Sequence, residues 1–303
     1  DSIYDTSFAA DLTVMEESKE LAERLEKNEK LPLFTSCCPG WVKFCESRYP
    51  EFANNISTCR SPQGMFSPLL KEYFKEKDTE EGKKTIVVSI MPCTAKKGEI
   101  LRSDNYTDGQ QDTDYVLTTQ EIIRMIKQVG IRFDQLEEEA ADMPFAVASG
   151  GGKIFGTTGG VTEAVLRRLA TDKNYKNLEE ISYIGVRGED TLKEASVMLG
   201  DREVKIAVVH GLAATAKLLD RIKANEVSYD FVEVMACRRG CIMGGGQPPF
   251  AGARTRKSRM EGIYKVDTSS NIRYPDENPV LLQMYDTMLK GKEHKLFHRN
   301  MQH

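Results

Sequence analysis

The sequence predicts an α/β protein of two lobes, each a small, mostly parallel, twisted sheet flanked by helices, with its ligand held in the cleft between them. Two observations predict it. Short β-rich runs alternate with helical stretches, as βαβ units and parallel sheets require. Three cysteine segments, at 35–38, 90–93 and 234–237, fall at the C-terminal ends of predicted strands, where open α/β sheets place their ligands. The 303 residues, 40% of them hydrophobic, suffice for a full core and for two lobes.

Taken in order, Leu12–Glu26 carries Leu12, Met15, Leu21 and Leu25 with acidic residues between them, an amphipathic helix. Its Glu17, Glu20 and Arg24 share one face, which ordinarily means a solvated one. Strands are expected at Leu31–Thr35, Thr85–Met91, Tyr115–Thr118, Ile181–Val186, Val204–His210 and Phe231–Met235. Helices are expected at Gly40–Arg48, Pro62–Lys75, Thr119–Val129, Gly160–Thr171 and Leu212–Ala224. The acidic stretch Gln135–Asp142 reads as a surface connection, dividing the chain into lobes at 1–138 and 139–303.

The Gly-rich run from Ser149 to Gly160 lacks both the P-loop Gly-Lys-Ser/Thr and the Rossmann fingerprint, so it reads as close backbone approach to a buried group. After Pro248 the chain turns basic and irregular (Arg254, Arg256, Lys257, Arg259) and ends in a helix near Pro279–Lys290.

Charge narrows the partners. Lys+Arg 42 against Asp+Glu 46 gives a net charge of −4, with no basic excess for nucleic acid or an anionic membrane. No apolar run approaches the roughly 20 residues of a membrane span, and the first residues show no secretory signal pattern. Seven cysteines, an odd number spread over 303 residues, do not make a disulfide scaffold; a reduced, cytoplasmic setting with metal binding is expected. Cys45 and Cys59 stand alone and read as small buried hydrophobes.

The other five carry the chemistry. Thr35-Ser36-Cys37-Cys38-Pro39-Gly40-Trp41, Met91-Pro92-Cys93-Thr94-Ala95-Lys96-Lys97 and Glu233-Val234-Met235-Ala236-Cys237 with Cys241 offer four thiolates to one site, enough for an iron–sulfur cube or a structural zinc. Zinc sites usually show paired Cys-x2–4-Cys knuckles, and only Cys237 and Cys241 make such a pair. Cys37 and Cys38 are adjacent, so one binds and one stays free. Gly244-Gly245-Gly246 permits close approach to something bulky. Lys96 sets a cation near an anionic ligand, and Met91 and Met235 each precede a cysteine by two positions, pointing into one cavity if locally extended.

These three segments, in this order, resemble the signature motifs of the iron-only ([FeFe]) hydrogenases. Weaker similarity at Ala10-Asp11-Leu12-Thr13-Val14-Met15-Glu16-Glu17, Ile154-Phe155-Gly156 and Glu277-Asn278-Pro279 extends the resemblance over nearly the whole chain. It implies a [4Fe–4S] cube held by Cys38, Cys93, Cys237 and Cys241, with Cys241 bridging to a diiron subsite that bears CO, cyanide and a bridging dithiolate amine. Cys37 would be the free thiol that passes protons to that amine, at the end of a path through Glu17, Ser57, Glu20 and Arg24. The helical face just read as solvated would then be a proton path. Lys96 would hydrogen-bond a cyanide, Met91, Met235 and Pro92 would contact the diiron unit, and Gln63 and Phe155 would complete the wall.

The implied activity is reversible interconversion of protons and H2. Its rival is a non-catalytic relative, an H2 sensor or iron–sulfur assembly protein on the same fold. No ferredoxin-type Cys-x2-Cys-x2-Cys-x3-Cys run occurs in the sequence. Electrons are therefore expected from a ferredoxin-like or iron–sulfur subunit or domain, and family members carry further sequence before the first motif, so a preceding segment or companion subunit is expected too.

Overall fold

The structure, a computed structural model, describes residues 1–172, 186–188, 190–249 and 252–299. Helix α1 (Ser7–Lys27) runs through the centre of the molecule and is buried on nearly every side. Two apolar clusters explain this: Ala10, Val14, Leu21 and Leu25 pack into one, whereas Phe8, Ala9, Leu12 and Met15 pack into another. An amphipathic stripe faces one core; a helix apolar on two faces is shared by two. Asn28, in the left-handed conformation, ends it.

Strand β1 (Leu33–Phe34) leads through the first cysteine segment into α2 (Pro39–Arg48), whose Pro39 stands where the missing N–H costs nothing. Helix α3 (Pro62–Glu81) starts at Ser61, whose hydroxyl accepts the Gly64 N–H at 3.2 Å. Then come β2 (Val88–Met91), α4 (Lys96–Glu99), the two-residue strands β3 (Tyr106–Thr107) and β4 (Gln110–Gln111), β5 (Tyr115–Thr118) and α5 (Thr119–Gln128). A capping box of Thr118 and Glu121 opens α5. The chain continues through α6 (Gly150–Ile154), α7 (Gly160–Asp172), β6 (Leu192–Leu199), β7 (Arg202–His210), α8 (Leu212–Lys223), β8 (Phe231–Met235), α9 (Ala253–Ser269), α10 (Pro279–Asp286) and α11 (Glu293–Phe297).

One sheet has the order β1-β8-β7-β6. β1 and β7 both run parallel to β8, with Leu33 and Ile206 each opposite Phe231, and only β6 is antiparallel. The second sheet pairs β2 with β5 in parallel, Met91 opposite Thr118. The chain is thus a mixed α/β protein with mainly parallel sheets. β1 lies before the expected 138/139 boundary and β8 beyond it, so the larger sheet draws strands from both segments.

The structure departs from the sequence reading in two places. The basic stretch after Pro248 is not irregular: from Ala253 it forms α9, anchored by the buried Asp267, which accepts both guanidinium nitrogens of Arg167 at 2.8 Å. β6 was not expected, because Lys193, Glu194 and Ser196 interrupt any apolar run, yet it pairs with β7 across the Gly200 turn. The Gly-rich run makes the close approach to buried groups that was expected of it: a Cβ on Gly150 would strike Asp267 and one on Gly152 would strike Ser7 and Asp11. Of the expected strand Ile181–Val186, residues 181–185 lie outside the described residues.

Candidate metal-cluster site

Because β1, β7 and β8 run parallel, the segments that follow β1 and β8 leave the same edge of the sheet. Thr35 fixes the first of them: its hydroxyl accepts the Val234 N–H at 3.1 Å and its carbonyl accepts the Trp41 indole N–H at 3.0 Å. The sulfur of Cys38 then accepts the backbone N–H of Ala236 at 3.4 Å, which ties the first cysteine segment to the third. The second segment, after β2, joins through the triple glycine. Gly246 donates to the Pro92 carbonyl at 2.9 Å, and a Cβ on Gly246 would lie 2.6 Å from the Cys93 nitrogen. Gly244 and Gly246 both lie close against the Pro92–Cys93 backbone.

Cys38, Cys93, Cys237 and Cys241 therefore converge. Burial, and then the neighbouring cysteines, push the thiols of Cys38, Cys237 and Cys241 above their ordinary range. The convergence is loose in one respect that matters. Tetrahedral zinc with Zn–S near 2.3 Å needs sulfurs ~3.8 Å apart, whereas among the described residues no three of these sulfurs lie within 4.8 Å of one another. Four thiols spaced more widely than one ion permits suit four metal atoms better.

Cys37 packs against the core cluster that contains Met235 and Phe155. Burial, then Glu17, Cys38 and Cys241, hold its thiol well above the usual range. Met91 packs with Ile100, Val116 and Cys93, so the two methionines belong to separate apolar clusters. Lys96 is buried; its ammonium donates to Glu99 at 2.8 and 3.0 Å and to the Cys37 carbonyl at 3.4 Å. Burial opposes that charge, but Glu99, and beyond it Cys93 and Cys37, hold the Lys96 pKa above normal.

Glu99 escaped the sequence reading, although Lys96-x-x-Glu99 is an i,i+3 pair on a helix. Gln63 links it further, donating to Glu99 at 3.1 Å and accepting from Ser89 at 2.8 Å. Glu233 also escaped it. Fully buried, it accepts the N–H groups of Gly159 at 2.6 Å and Thr162 at 2.8 Å at the start of α7, a helix N-terminus that favours a carboxylate.

The remaining candidates form a buried file. Arg24 donates to Glu20 at 2.5 Å, and Ser57 donates to the other Glu20 oxygen at 2.7 Å. Glu17 lies deeper and is wholly buried. Neither of its oxygens has a hydrogen-bond partner among the described residues. Burial, and then the charge of Glu20, push its pKa up to about 8, with Ser57 and the Ser36 N–H opposing. The face that the helical pattern alone marked as solvated is interior.

Residues 1–245 match the family described as "Iron only hydrogenase large subunit, C-terminal domain", and residues 253–300 match "Iron hydrogenase small subunit". Iron hydrogenase 1 of Clostridium pasteurianum is 40% identical over 98% of this chain and 54% of its own length. The periplasmic [Fe] hydrogenase large subunit of Nitratidesulfovibrio vulgaris is 45% identical over 82% of this chain and 60% of its own. The cytosolic iron–sulfur assembly component 3 of Rattus norvegicus is 29% identical over 96% and 63%. The chain thus spans little more than half the length of these curated relatives. Among solved structures, the [FeFe]-hydrogenase HydA1 of Chlamydomonas reinhardtii superposes with a TM-score of 0.80 at 34% identity, over 99% of this chain and 84% of that one. No helix among the described residues is long and apolar enough to cross a membrane. With three signature segments converging on one site and a family match over 245 residues, the chain belongs to the iron-only hydrogenases, a family whose members bind iron–sulfur clusters.

Proposed function

We propose that this chain is the catalytic part of a reversible hydrogenase, 2H⁺ + 2e⁻ ⇌ H2. The observation that carries the reading is the buried file of Glu17, Ser57, Glu20 and Arg24, with Glu17 lacking a hydrogen bond among the described residues and pushed up to about 8, beside the spare thiol of Cys37. A protein that only holds or transfers a cube has no need of a titratable group there.

The residues fit the implied cofactor. Cys38, Cys93, Cys237 and Cys241 would hold the [4Fe–4S] cube, and Cys241 would also bridge to the diiron subsite with its CO, cyanide and dithiolate amine. When bound, the group supplies electron exchange with protons and H2. Lys96, kept charged and aimed by Glu99, would donate to an anionic cyanide. Met91, Met235, Pro92, Gln63 and Phe155 would wall the diiron unit from water. Glu17 would take a proton from the Ser57–Glu20–Arg24 end and deliver it to Cys37, because a carboxylate that titrates near neutrality loses and regains a proton at little cost. Electrons would come from a ferredoxin-like or iron–sulfur subunit or domain. The seven unpaired cysteines support a cytoplasmic setting, although one relative is named as periplasmic.

The second reading, an H2-sensing or iron–sulfur assembly protein, draws on the assembly-component relatives. Infrared spectra after maturation separate the two. Bands of metal-bound CO and cyanide are expected, and Cys37→Ala should keep them while turnover falls ~10²–10⁴-fold, the usual contribution of positioned proton transfer. Absence of the bands from cube-loaded, matured protein would favour the assembly reading.

A further inference from the structure

Apart from the cysteine site, one group of ligating side chains closes among the described residues: Glu20, Cys59 and His298, whose donor atoms lie within 4.8 Å of one another. Backbone holds two of them together. Cys59 bridges His298 in an antiparallel pair, and the Arg299 N–H donates to the Thr58 carbonyl at 2.7 Å. Glu20 is oriented as well: Arg24 takes Oε1, leaving Oε2 2.7 Å from the Ser57 hydroxyl and 3.7 Å from the Cys59 sulfur.

His298 has the arrangement of a metal ligand. Its Nε2 lies 3.3 Å from Oε2 of Glu16. Glu16 is itself held by Lys19 at 2.8 Å and Tyr285 at 2.5 Å, so the outer nitrogen of His298 rests on a fixed carboxyl group. Nδ1 lies 2.8 Å from the Thr58 hydroxyl. That hydroxyl also lies 3.2 Å from Glu20 Oε2, so Nδ1 and Glu20 face the same small space. A histidine whose outer nitrogen rests on a carboxyl group while its inner nitrogen faces a thiol and a second carboxyl group matches the support usual around bound metals.

We propose that Glu20 Oε2, Cys59 Sγ and His298 Nδ1 form a site for a divalent cation of the zinc class, whose occupancy withdraws Glu20 from the proton file. The second half rests on the hydrogenase reading. Zinc bond lengths put a sulfur ~3.5 Å from an oxygen or nitrogen ligand, and the Cys59–Glu20 separation is 3.7 Å. Binding releases the Cys59 thiol proton to solvent; thiolate and carboxylate then balance the ion's charge, and water completes the tetrahedron. Arg24, Lys19 and Arg299 surround the group. Such surroundings disfavour hard cations held by charge alone and leave ions with affinity for sulfur and imidazole. His294, exposed and stacked on His298 at 5.1 Å, offers an imidazole at the mouth.

Zinc-edge X-ray absorption on the cube-loaded chain tests this, since the cube then occupies the other thiols. One zinc per chain is expected, with a single sulfur at ~2.3 Å and nitrogen or oxygen at ~2.0–2.1 Å. Affinity should fall by more than the ~10–100-fold that loss of an outer-shell partner costs, both in Cys59→Val and in the less buried His298→Gln. No uptake, zinc with three or four sulfurs, or unchanged affinity in His298→Gln overturns the site. Zinc should also slow wild-type turnover, while His298→Gln keeps its basal rate and escapes; bound zinc that slows nothing overturns the regulatory half. Glu17→Gln, measured in parallel, separates the premises: full turnover there refutes the proton file and leaves the absorption result to decide the site.

Discussion

Two buried groups of charge in this molecule are built oppositely. At the α7–α9 contact, Glu163, Arg167 and Asp267 are almost wholly excluded from water, yet every charge is answered. Arg167 donates to Asp267 at two points and to Glu163, Arg187 adds bonds to Glu163 at 2.6 and 2.8 Å, and Arg273 reaches Asp267 at 3.5 Å. Though burial raises it, Asp267 is held below its ordinary pKa by Arg167 and Arg273. On α1, Glu17 is equally buried with neither oxygen hydrogen-bonded among the described residues, and its pKa rises to about 8. A satisfied network keeps its protonation state and holds elements together. An unsatisfied carboxyl changes its state readily, which makes it useful for moving protons.

The contrast breaks if both groups respond alike to substitution. Glu17→Gln keeps the shape and removes the proton acceptor, so turnover should fall ~10²–10⁴-fold with cofactor content unchanged. Gas-chromatographic H2 assays beside iron analysis check this, and wild-type turnover would remove Glu17 from the path. Arg167→Met should do the reverse. It leaves Glu163 to Arg187 and Asp267 to the longer Arg273 contact alone, and breaking a buried pair in this way costs about 3–5 kcal/mol, read as a lower urea midpoint. An unchanged midpoint would mean that the α7–α9 network contributes nothing to stability.

Sequence revealed these two regions unequally. β7 and β8 were legible because buried parallel strands read as mostly apolar, β-branched runs, Val204–His210 and Phe231–Met235, each interrupted by a single charge, Lys205 and Glu233. β6 was not, being an edge strand with alternating exposure, nor was α9, whose polar surface carries no apolar stripe while its anchor, Asp267, binds a residue 100 positions away. At the site, the cysteines announced themselves because thiols at strand ends have few other uses. Glu17, Glu20 and Arg24 were visible as a helical set, but their burial depends on α3, α6 and α7 packing around α1. Periodicity within one helix cannot report that; only the family resemblance pointed to it. Glu233 stayed hidden because its partners, the N–H groups of Gly159 and Thr162, are fixed by tertiary structure, whereas Glu99 was overlooked despite its local i,i+3 pairing with Lys96.

The pH dependence of stability sharpens the same contrast. Glu17 holds its proton more tightly folded than unfolded, so its contribution is fully present below pH 4.5, declines as pH rises, and is lost above about 8. By pH 7 the loss amounts to roughly 3 kcal/mol at ~1.4 kcal/mol per pH unit. Urea midpoints of cofactor-free protein should therefore fall between pH 4.5 and 8 in the wild type and fall less in Glu17→Gln. Parallel profiles for the two proteins would mean that Glu17 is ionised when folded.

The smallest effect distinguishes a relay from a scaffold. Ser57 donates to Glu20 at 2.7 Å and accepts the Cys59 N–H at 3.1 Å, yet Glu20 keeps Arg24 and the Thr58 N–H without it. Ser57→Ala should therefore cost only about 0.5–1.5 kcal/mol of stability, the net value of one hydrogen bond. If protons pass through the hydroxyl, turnover should drop by more than that change in stability explains, because a proton leaving Glu20 has lost the hydroxyl that Glu20 holds at 2.7 Å. Ser57→Thr, which restores a hydroxyl, should recover much of the rate. Equal turnover in Ser57→Ala and wild type would show that protons cross from Glu20 to Glu17 by water, leaving Ser57 to orient Glu20 alone.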